Sequence, residues 1–174
     1  MSNDWTPLAL PALERWMLQQ RIDAFNAHYA EVLDARRFDE WPLCFVEDGR
    51  YQVQARENFD RGLPLSLIDL ESQGMMKDRI FGVTQTIFHA PYYTRHVVGV
   101  ATLLGQRTDA QGRMVLACEA SYAVFRTKPG QTSEVFNVGR YRDEMVDTDD
   151  GLRLCSRRCI YDSELVLNSL IYPI

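Results

Sequence analysis

Hydrophobic residues in the first part of the chain recur at helical spacing. They fall at steps of three and four residues, which places them on one stripe of a helix, and polar residues occupy the other face. The stripe comprises Leu18, Ile22, Phe25, Tyr29, Val32 and Leu33. Pro11 suits a helix start because its missing N–H would have no partner there. The pattern predicts a helix from about Ala12 to Ala35 with one buried face.

The next stretch alternates between helical and strand spacing. Phe38, Trp41 and Phe45 fall on one side of a short helix. Period-two alternation is typical of half-buried strands, and Gly82 is expected to weaken the helix in which it lies. The predicted elements are, in order, a short helix over 37–45, a strand over 51–55, an exposed loop over 56–62, a strand over 64–70 and a helix over 72–88.

The second half of the chain is rich in β-formers. Four long segments, separated by short polar loops, are predicted to form strands: 94–105, 113–126, 134–146 and 152–165. Loops with Gly, Pro and Asp between such segments are typical of hairpins, so an antiparallel meander follows. Helices followed by long strands indicate an α+β fold with the helices packed on one face of a curved, mostly antiparallel sheet.

Length and composition indicate one domain. The chain has 174 residues, of which 46% are hydrophobic and 25% charged, as is ordinary for a globular protein. We expect residues 1–174 to form a single domain, of which residues 1–11 are a candidate extended arm. The apolar end, residues 165–174, is expected to be covered by its own domain or by a neighbouring subunit.

Charge argues against two classes of partner. The net charge is −5 and no Lys/Arg-rich run occurs, whereas nucleic acids and anionic membranes attract a positive surface. No targeting segment and no membrane-spanning apolar run is recognisable, so a cytoplasmic location is expected. Cys44, Cys118, Cys155 and Cys159 form no CxxC pair, and we expect them to be buried, reduced thiols.

The three histidines offer few metal ligands. His28 lies near the apolar stripe of the first helix and is expected to be a structural side chain. His89 and His96, together with Asp69 or Asp78, have the chemistry to bind a divalent metal. Their spacing matches no local ligand motif, so no metal site is expected.

A curved sheet with helices on one face can enclose a cone-shaped pocket, in which a buried Asp or His can act as a general base. The groups that would serve in a dehydratase or isomerase of this type are Asp34, Asp69, His96, Tyr92, Tyr93 and Tyr122. The competing interpretation is a filled pocket in which they make ordinary hydrogen bonds. A third is a non-enzymatic ligand-binding module. Nucleophile and phosphate-loop motifs are absent from the sequence.

Charged residues alternate along the segment from Arg140 to Glu144. Such a pattern fits either a solvated sheet face or a subunit contact with matched ion pairs. The sequence alone leaves these two interpretations open.

Several segments, in this order and spacing, resemble the small (β) subunit of Rieske-type aromatic-ring-hydroxylating dioxygenases. The resemblance covers about residue 15 to the end and is silent on residues 1–11. The segments are Tyr29 to Trp41, Phe45 to Tyr51, Arg56-Glu57-Asn58, Met76 to Ile80, Thr94-Arg95-His96 and Ser169 to Ile174. Two further segments, Gly62 to Ile68 and Arg140 to Asp143, resemble members that act on benzoate-like acids such as terephthalate, salicylate or anthranilate.

The resemblance implies a fold and a division of labour. It implies a nuclear transport factor 2-like cone, related to scytalone dehydratase, and assembly with catalytic α subunits and other β subunits, commonly as α3β3. The α subunit would carry a [2Fe-2S] Rieske cluster and mononuclear Fe(II). This sequence lacks the Cys-x-His and Cys-x-x-His ligands of a Rieske centre. We therefore expect it to contribute no catalytic, cofactor-binding or metal-binding residue, and to serve in assembly and stability. The alternative is a stand-alone dehydratase or isomerase with His96 or an Asp as general base.

Overall fold

The computed structural model describes residues 5–86, 89–163 and 170–174. Its helices and strands are, in chain order, α1 (Ala12–Asp34), β1 (Phe45–Ala55), α2 (Arg56–Asp60), β2 (Ile68–Leu70), α3 (Gln73–Phe81), β3 (Tyr93–Val98), β4 (Thr102–Thr108), β5 (Met114–Thr127), β6 (Glu134–Thr148) and β7 (Gly151–Tyr161). A 3₁₀ turn, Trp41–Cys44, precedes β1, and a π-helical turn, Gly82–Thr86, continues α3. Among these helices we find none whose length and apolar character would let it cross a membrane.

The strands form one sheet in the order β2-β1-β7-β6-β5-β3, with β4 pairing beside β3 on β5. All pairings are antiparallel except that of β1 with β7. The long hairpins β5–β6 and β6–β7 form the centre of the sheet. The predicted α+β class with a mostly antiparallel sheet is therefore confirmed.

The two longer helices, α1 and α3, lie on one face of the sheet, which we call the inner face. α1 contacts β3 and β7, and α3 contacts β1. Side chains that point to this face are buried, among them Tyr51 in β1, Tyr141 in β6 and Cys159 in β7. The opposite, outer face has no described helix over it other than the short α2, which contacts β1 and β7.

The first helix matches its prediction. Every residue of the predicted stripe is buried or half-buried in the core. The helix ends where Arg36 adopts a left-handed conformation with φ of 57°, and the Arg37 N–H donates to the Val32 carbonyl at 2.9 Å. This geometry satisfies carbonyls that the helix end leaves free.

Several local predictions were wrong or incomplete. The predicted helix over 37–45 shrinks to the 3₁₀ turn, because Phe45 already belongs to β1. The predicted loop over 56–62 begins with α2, supported by an ion pair between Arg61 and Glu57 at 2.7 Å. The predicted strand over 64–70 is limited to β2.

The helix predicted over 72–88 begins with Ser72, whose hydroxyl accepts from the Met75 N–H at 3.3 Å. It widens into the π-helical turn at Gly82, where the sequence predicted a weak point. Threonine hydroxyls then return hydrogen bonds to the helix, as from Thr84 to the Ile80 carbonyl at 2.8 Å. Residues 87 and 88 lie outside the described residues.

The predicted strand over 94–105 is divided into β3 and β4. The two pieces pair with different halves of β5, and Gly99 to Ala101 make the step between them. The exposed edge of β4 is partly covered by Thr6, which exchanges two backbone hydrogen bonds of 2.9 Å with Gln106. The region predicted as an arm thus contributes a short bridge to the sheet.

The apolar end of the chain returns to the inner face. Tyr172, Pro173 and Ile174 are buried, and the Arg79 guanidinium donates to the carbonyls of Leu170 and Ile171 at 2.9 and 3.1 Å. The sequence left two possibilities for this end: cover by its own domain or by a neighbouring subunit. Residues 172–174 are covered by the rest of the chain. Residues 165–169 lie outside the described residues.

Candidate functional site

The centre of the inner face contains a charged cluster. Arg157 in β7 is fully buried, and its guanidinium donates to both carboxylate oxygens of Asp143 in β6, at 3.0 and 2.7 Å. A third bond of 2.6 Å runs to the amide oxygen of Asn26 on α1. The guanidinium carbon lies 4.1 Å from the Tyr29 ring centroid and 4.2 Å from that of Tyr141, so the cation is held between two aromatic faces.

This pairing keeps the Arg157 guanidinium charged in a dry environment. Burial by itself would lower the pKa of Arg157, but the Asp143 carboxylate outweighs it by charge and hydrogen bonding, and the pKa of Arg157 is raised well above its ordinary value. Burial likewise raises the pKa of Tyr29 and of Tyr141. The two phenols therefore stay protonated at neutral pH, and neither is poised to act as a base.

The end of the chain occupies the space beside this cluster. The Ile174 carbonyl oxygen accepts from the hydroxyls of both Tyr29 and Tyr51, each at 3.2 Å, and the Ile174 N–H donates to the Tyr51 oxygen at 2.9 Å. The ring of Tyr172 lies 4.6 Å from that of Tyr92 and 4.9 Å from that of Phe38. This part of the cone is filled by the chain's own residues.

Two of the predicted catalytic residues do meet. Asp34, at the end of α1, lies with Oδ1 2.7 Å from Nδ1 of His96, and its Oδ2 accepts from the His96 backbone N–H at 3.0 Å. An ionised Asp34 holds the proton on Nδ1 and directs Nε2 away, which is the arrangement of an oriented general base. Nε2, however, is buried and has no hydrogen-bond partner among the described residues.

A groove of about 430 Å³ runs along α1 past this pair and is lined by Asp23, Asn26, Asp34, Arg95 and Val100, among others. The His96 side chain has no exposed surface, whereas the Asp34 side chain is 6% exposed. A substrate in the groove would therefore reach Asp34 before the imidazole. The pair is better suited to fixing β3 on the end of α1 than to abstracting a proton.

The other predicted residues are dispersed. Tyr122 stacks on Tyr141, with ring centroids 4.3 Å apart, and donates to the Asn137 amide oxygen at 2.7 Å. Tyr93 is exposed on the outer face. Asp69 is also on that face, where the Arg50 guanidinium binds it at 2.7 and 2.8 Å and lowers its pKa.

The histidines do not converge either. His28, predicted to lie near the apolar stripe as a structural side chain, is exposed on α1 beside the buried Tyr29. His89 packs against Tyr172, with ring centroids 5.1 Å apart. Asp78 is exposed on α3.

Across the described ranges, no three His, Cys, Asp or Glu side chains are grouped to hold a metal ion. A Rieske cluster needs two cysteines and two histidines around one site, and this chain's described residues do not fit that requirement.

The cysteines behave as core residues. Cys44, Cys118 and Cys159 are buried, and Cys155 is half-buried. Burial raises the pKa of Cys44 and Cys155 to about 11 and that of Cys159 to about 12. Such thiols are poor nucleophiles at neutral pH, because the thiolate is the reactive form.

The alternating charges from Arg140 to Glu144 divide between the two faces. Asp143 points inward to the buried ion pair, a role that neither sequence interpretation included. Arg140, Arg142 and Glu144 point outward and stay half-buried. On β3, β5 and β6, the outer face also carries exposed apolar side chains: Tyr93, Val97, Phe125, Val135 and Val138.

The chain matches a family model described as the ring hydroxylating beta subunit over residues 28–168. It is 33% identical to the anthranilate 1,2-dioxygenase small subunit of Burkholderia cepacia, a match covering 92% of each chain. It is 30% identical to the terephthalate 1,2-dioxygenase terminal oxygenase component subunit beta 2 of a Comamonas species, covering 88% of this chain and 97% of that one.

Solved structures show the same fold. One is described as the β subunit of an aromatic-ring-hydroxylating dioxygenase from Novosphingobium aromaticivorans, with a TM-score of 0.81, 37% identity and coverage of 92% of this chain and 99% of that one. Another, from the same organism, is described as an NTF2-like protein with a cystatin-like fold. It has a TM-score of 0.62, 19% identity and coverage of 88% and 87%. The predicted nuclear transport factor 2-like fold is confirmed.

Proposed function

Because this chain belongs to the family of ring-hydroxylating β subunits, we propose that it assembles with a catalytic α subunit and stabilises the oxygenase that the α subunit completes. The observation that carries the proposal is the family match, which spans residues 28–168. We further propose that the holoenzyme acts on a benzoate-like aromatic acid. The names of two relatives, anthranilate and terephthalate dioxygenase subunits, support this class of substrate.

The iron centres are assigned to the partner. The α subunit would hold a [2Fe-2S] Rieske cluster and mononuclear Fe(II), the groups that supply the redox chemistry of ring hydroxylation. We propose that this chain contributes no catalytic, cofactor-binding or metal-binding residue, since its buried acids and histidines are engaged in packing. Residues 1–174 are proposed to be one domain, with no nucleic-acid or membrane partner. A cytoplasmic location stays a prediction from the sequence.

Assembly with further copies of the β subunit, as α3β3, is proposed to use the outer face of the sheet. The apolar side chains over β3, β5 and β6 support this, because Tyr93, Val97 and Val135 are each more than half exposed, at 63%, 54% and 54%. Contiguous exposed apolar side chains mark interaction surfaces.

Co-purification tests the proposal. This chain, expressed with an α subunit that carries Rieske ligands, should elute from a sizing column as one complex, whose mass by light scattering gives the stoichiometry. A Val97→Asp/Val135→Asp variant should form a complex of lower mass while its circular dichroism spectrum stays unchanged. Leu13 is an exposed apolar residue on α1, and the control variant Leu13→Asp should form a complex of wild-type mass. Wild-type chain that remains a free monomer beside the α subunit would contradict the proposal.

The contact between Asp34 and His96 favours a second candidate, a stand-alone dehydratase or isomerase. It requires that Nε2 of His96 meet a substrate. Diethyl pyrocarbonate followed by mass spectrometry tests this, with exposed His28 as the internal control. If His28 is carbethoxylated while His96 is protected, the second candidate fails. Equal modification of both in the folded chain would favour it over the assembly role.

A further inference from the structure

The outer face carries a row of polar side chains across five strands. Strand pairing places Glu119, Arg142, Arg158, Gln52 and Asp69 side by side on β5, β6, β7, β1 and β2. Carboxylates stand at the two ends and two arginines in the middle. Arg142 and Arg158 are directly opposite each other in an antiparallel pair, where like charges destabilise the sheet.

The neighbouring carboxylates do not neutralise this pair. Glu119 lies 3.6 Å from Arg140, Glu144 binds Arg107 at 2.7 Å, and Asp69 binds Arg50 at 2.7 Å. Within the described ranges, the structure forms no salt bridge to Arg142 or Arg158. Arg158 instead donates to the neutral Gln52 at 3.1 Å.

An aromatic ring sits over the same place. The Phe59 ring of α2 has the guanidinium carbons of Arg140, Arg142 and Arg158 at 5.5, 5.8 and 5.6 Å from its centroid. Of the three, Arg140 is paired with Asp60 at 3.8 Å and with Glu119 at 3.6 Å. Arg142 and Arg158 lie against the ring without a carboxylate partner in the described ranges, so their like charges are offset mainly by the ring. Consistently, burial and the charges of Arg50 and Arg142 lower the pKa of Arg158.

A groove leads away from the arginines. It measures about 470 Å³ and is lined by Arg50, Gln52, Phe59, Asp60, Leu63 and Arg158, among others. Asp60 is itself paired with Arg56 at 3.5 Å and with Arg140 at 3.8 Å. The chain continues from Leu63 and Pro64, which line the groove, into two exposed leucines, Leu65 at 63% and Leu67 at 55%. A cationic end and an apolar wall therefore lie side by side on an otherwise acidic protein.

We propose that Arg142 and Arg158 form the receptor for an acidic side chain of the partner α subunit, whose adjoining apolar residue enters the groove against Phe59 and Leu63. Charge complementarity selects an acidic segment, and the two exposed leucines indicate a polypeptide that extends beyond one side chain. A guanidinium pair offers a carboxylate several parallel N–H donors. The inference rests on the assembly function proposed above.

Substituting these arginines should affect the isolated chain and the complex differently. In the isolated chain, Arg142→Gln removes a like-charge contact and should leave the melting temperature unchanged or raise it. In the complex the same change removes a partner's counter-charge, and association should weaken about tenfold or more. Arg158→Gln should weaken association similarly. Arg15→Gln, an exposed arginine on α1, is the matched control and should change neither quantity.

Association with the α subunit is measured by biolayer interferometry at two salt concentrations, and melting by circular dichroism. If the wild-type chain and both arginine variants bind the α subunit with the same affinity, this inference is overturned and the assembly function stands. Wild-type chain that does not bind overturns both. The alternative occupant of this site is a small anion. If sodium benzoate or sodium sulfate raises the melting temperature of the isolated chain, and Arg158→Gln abolishes that shift, the proposed receptor for the partner is refuted.

Discussion

Replacing Asp143 with asparagine removes a charge from the centre of the protein with almost no change in shape. The side chains of Arg157 and Asp143 are 0% and 1% exposed, so the remaining guanidinium has no water to replace its counter-ion. Breaking a buried pair by removing one partner costs roughly 3–5 kcal/mol. Because domains of this kind have about 5–15 kcal/mol of stability, Asp143→Asn should lose about a fifth of it or more.

The neighbouring residue supplies the control. Glu144 is bound by Arg107 at 2.7 Å, but those side chains are 33% and 36% exposed, and exposed pairs contribute about 1 kcal/mol or less. Urea unfolding of the isolated chain, followed by circular dichroism, should therefore separate Asp143→Asn from Glu144→Gln by about 2 kcal/mol or more. Equal free energies of unfolding for the two variants would refute the reasoning.

A second variant keeps the test informative if Asp143→Asn does not fold. Asp143→Leu/Arg157→Met removes both charges and fills the space with apolar atoms, and such replacements are often neutral or stabilising. The double variant should be more stable than Asp143→Asn. If it is equally unstable, the loss comes from packing around Tyr29 and Tyr141 and not from an uncompensated charge.

Three further predictions concern single positions. Trp41, which is 0% exposed, should lose roughly 3–5 kcal/mol on change to alanine, through lost burial and a cavity; a near-neutral urea midpoint would contradict its role in the core. Gly139→Ala would place a methyl carbon 2.0 Å from the Ile160 carbonyl oxygen, so β6 and β7 must separate and the melting temperature should fall. A melting temperature within a few degrees of wild type would show that the strands accommodate the methyl group. Since Arg50 lowers the pKa of Asp69 below 3.8, the pair stabilises the fold above about pH 4 and this contribution is lost as pH falls through the lowered pKa. The stability difference from Asp69→Asn should thus shrink as pH falls below about 4, and a constant difference would contradict the ion pair.

Local patterns were sufficient for much of the architecture. The period of α1 is a property of consecutive residues, and burial on one face of the helix follows from it. Phe45, by contrast, has helical spacing with Trp41 yet starts β1, because parallel pairing with Leu154 in β7 competes with the local preference. Propensity gives way when a distant strand supplies the hydrogen bonds.

The buried cation shows most clearly what local pattern cannot supply. Counting alternately from Leu152 and Leu154 turns Arg157 outward, but the pairing of β6 with β7 shifts between Glu144 and Met145, and this bulge reverses the side on which later residues point. Arg157 thereby meets Asp143 and two tyrosine rings. No spacing within β7 signals such a shift.

Residue order is enough to predict the fold class, the absence of cofactor motifs and the family resemblance, because each depends on neighbouring residues and their spacing. Tertiary structure alone decided that Asp34 meets His96, that Ile174 occupies the space beside Tyr29, and that Arg142 faces Arg158. Each of these contacts joins residues from separate elements, or depends on a register that pairing across the whole sheet sets.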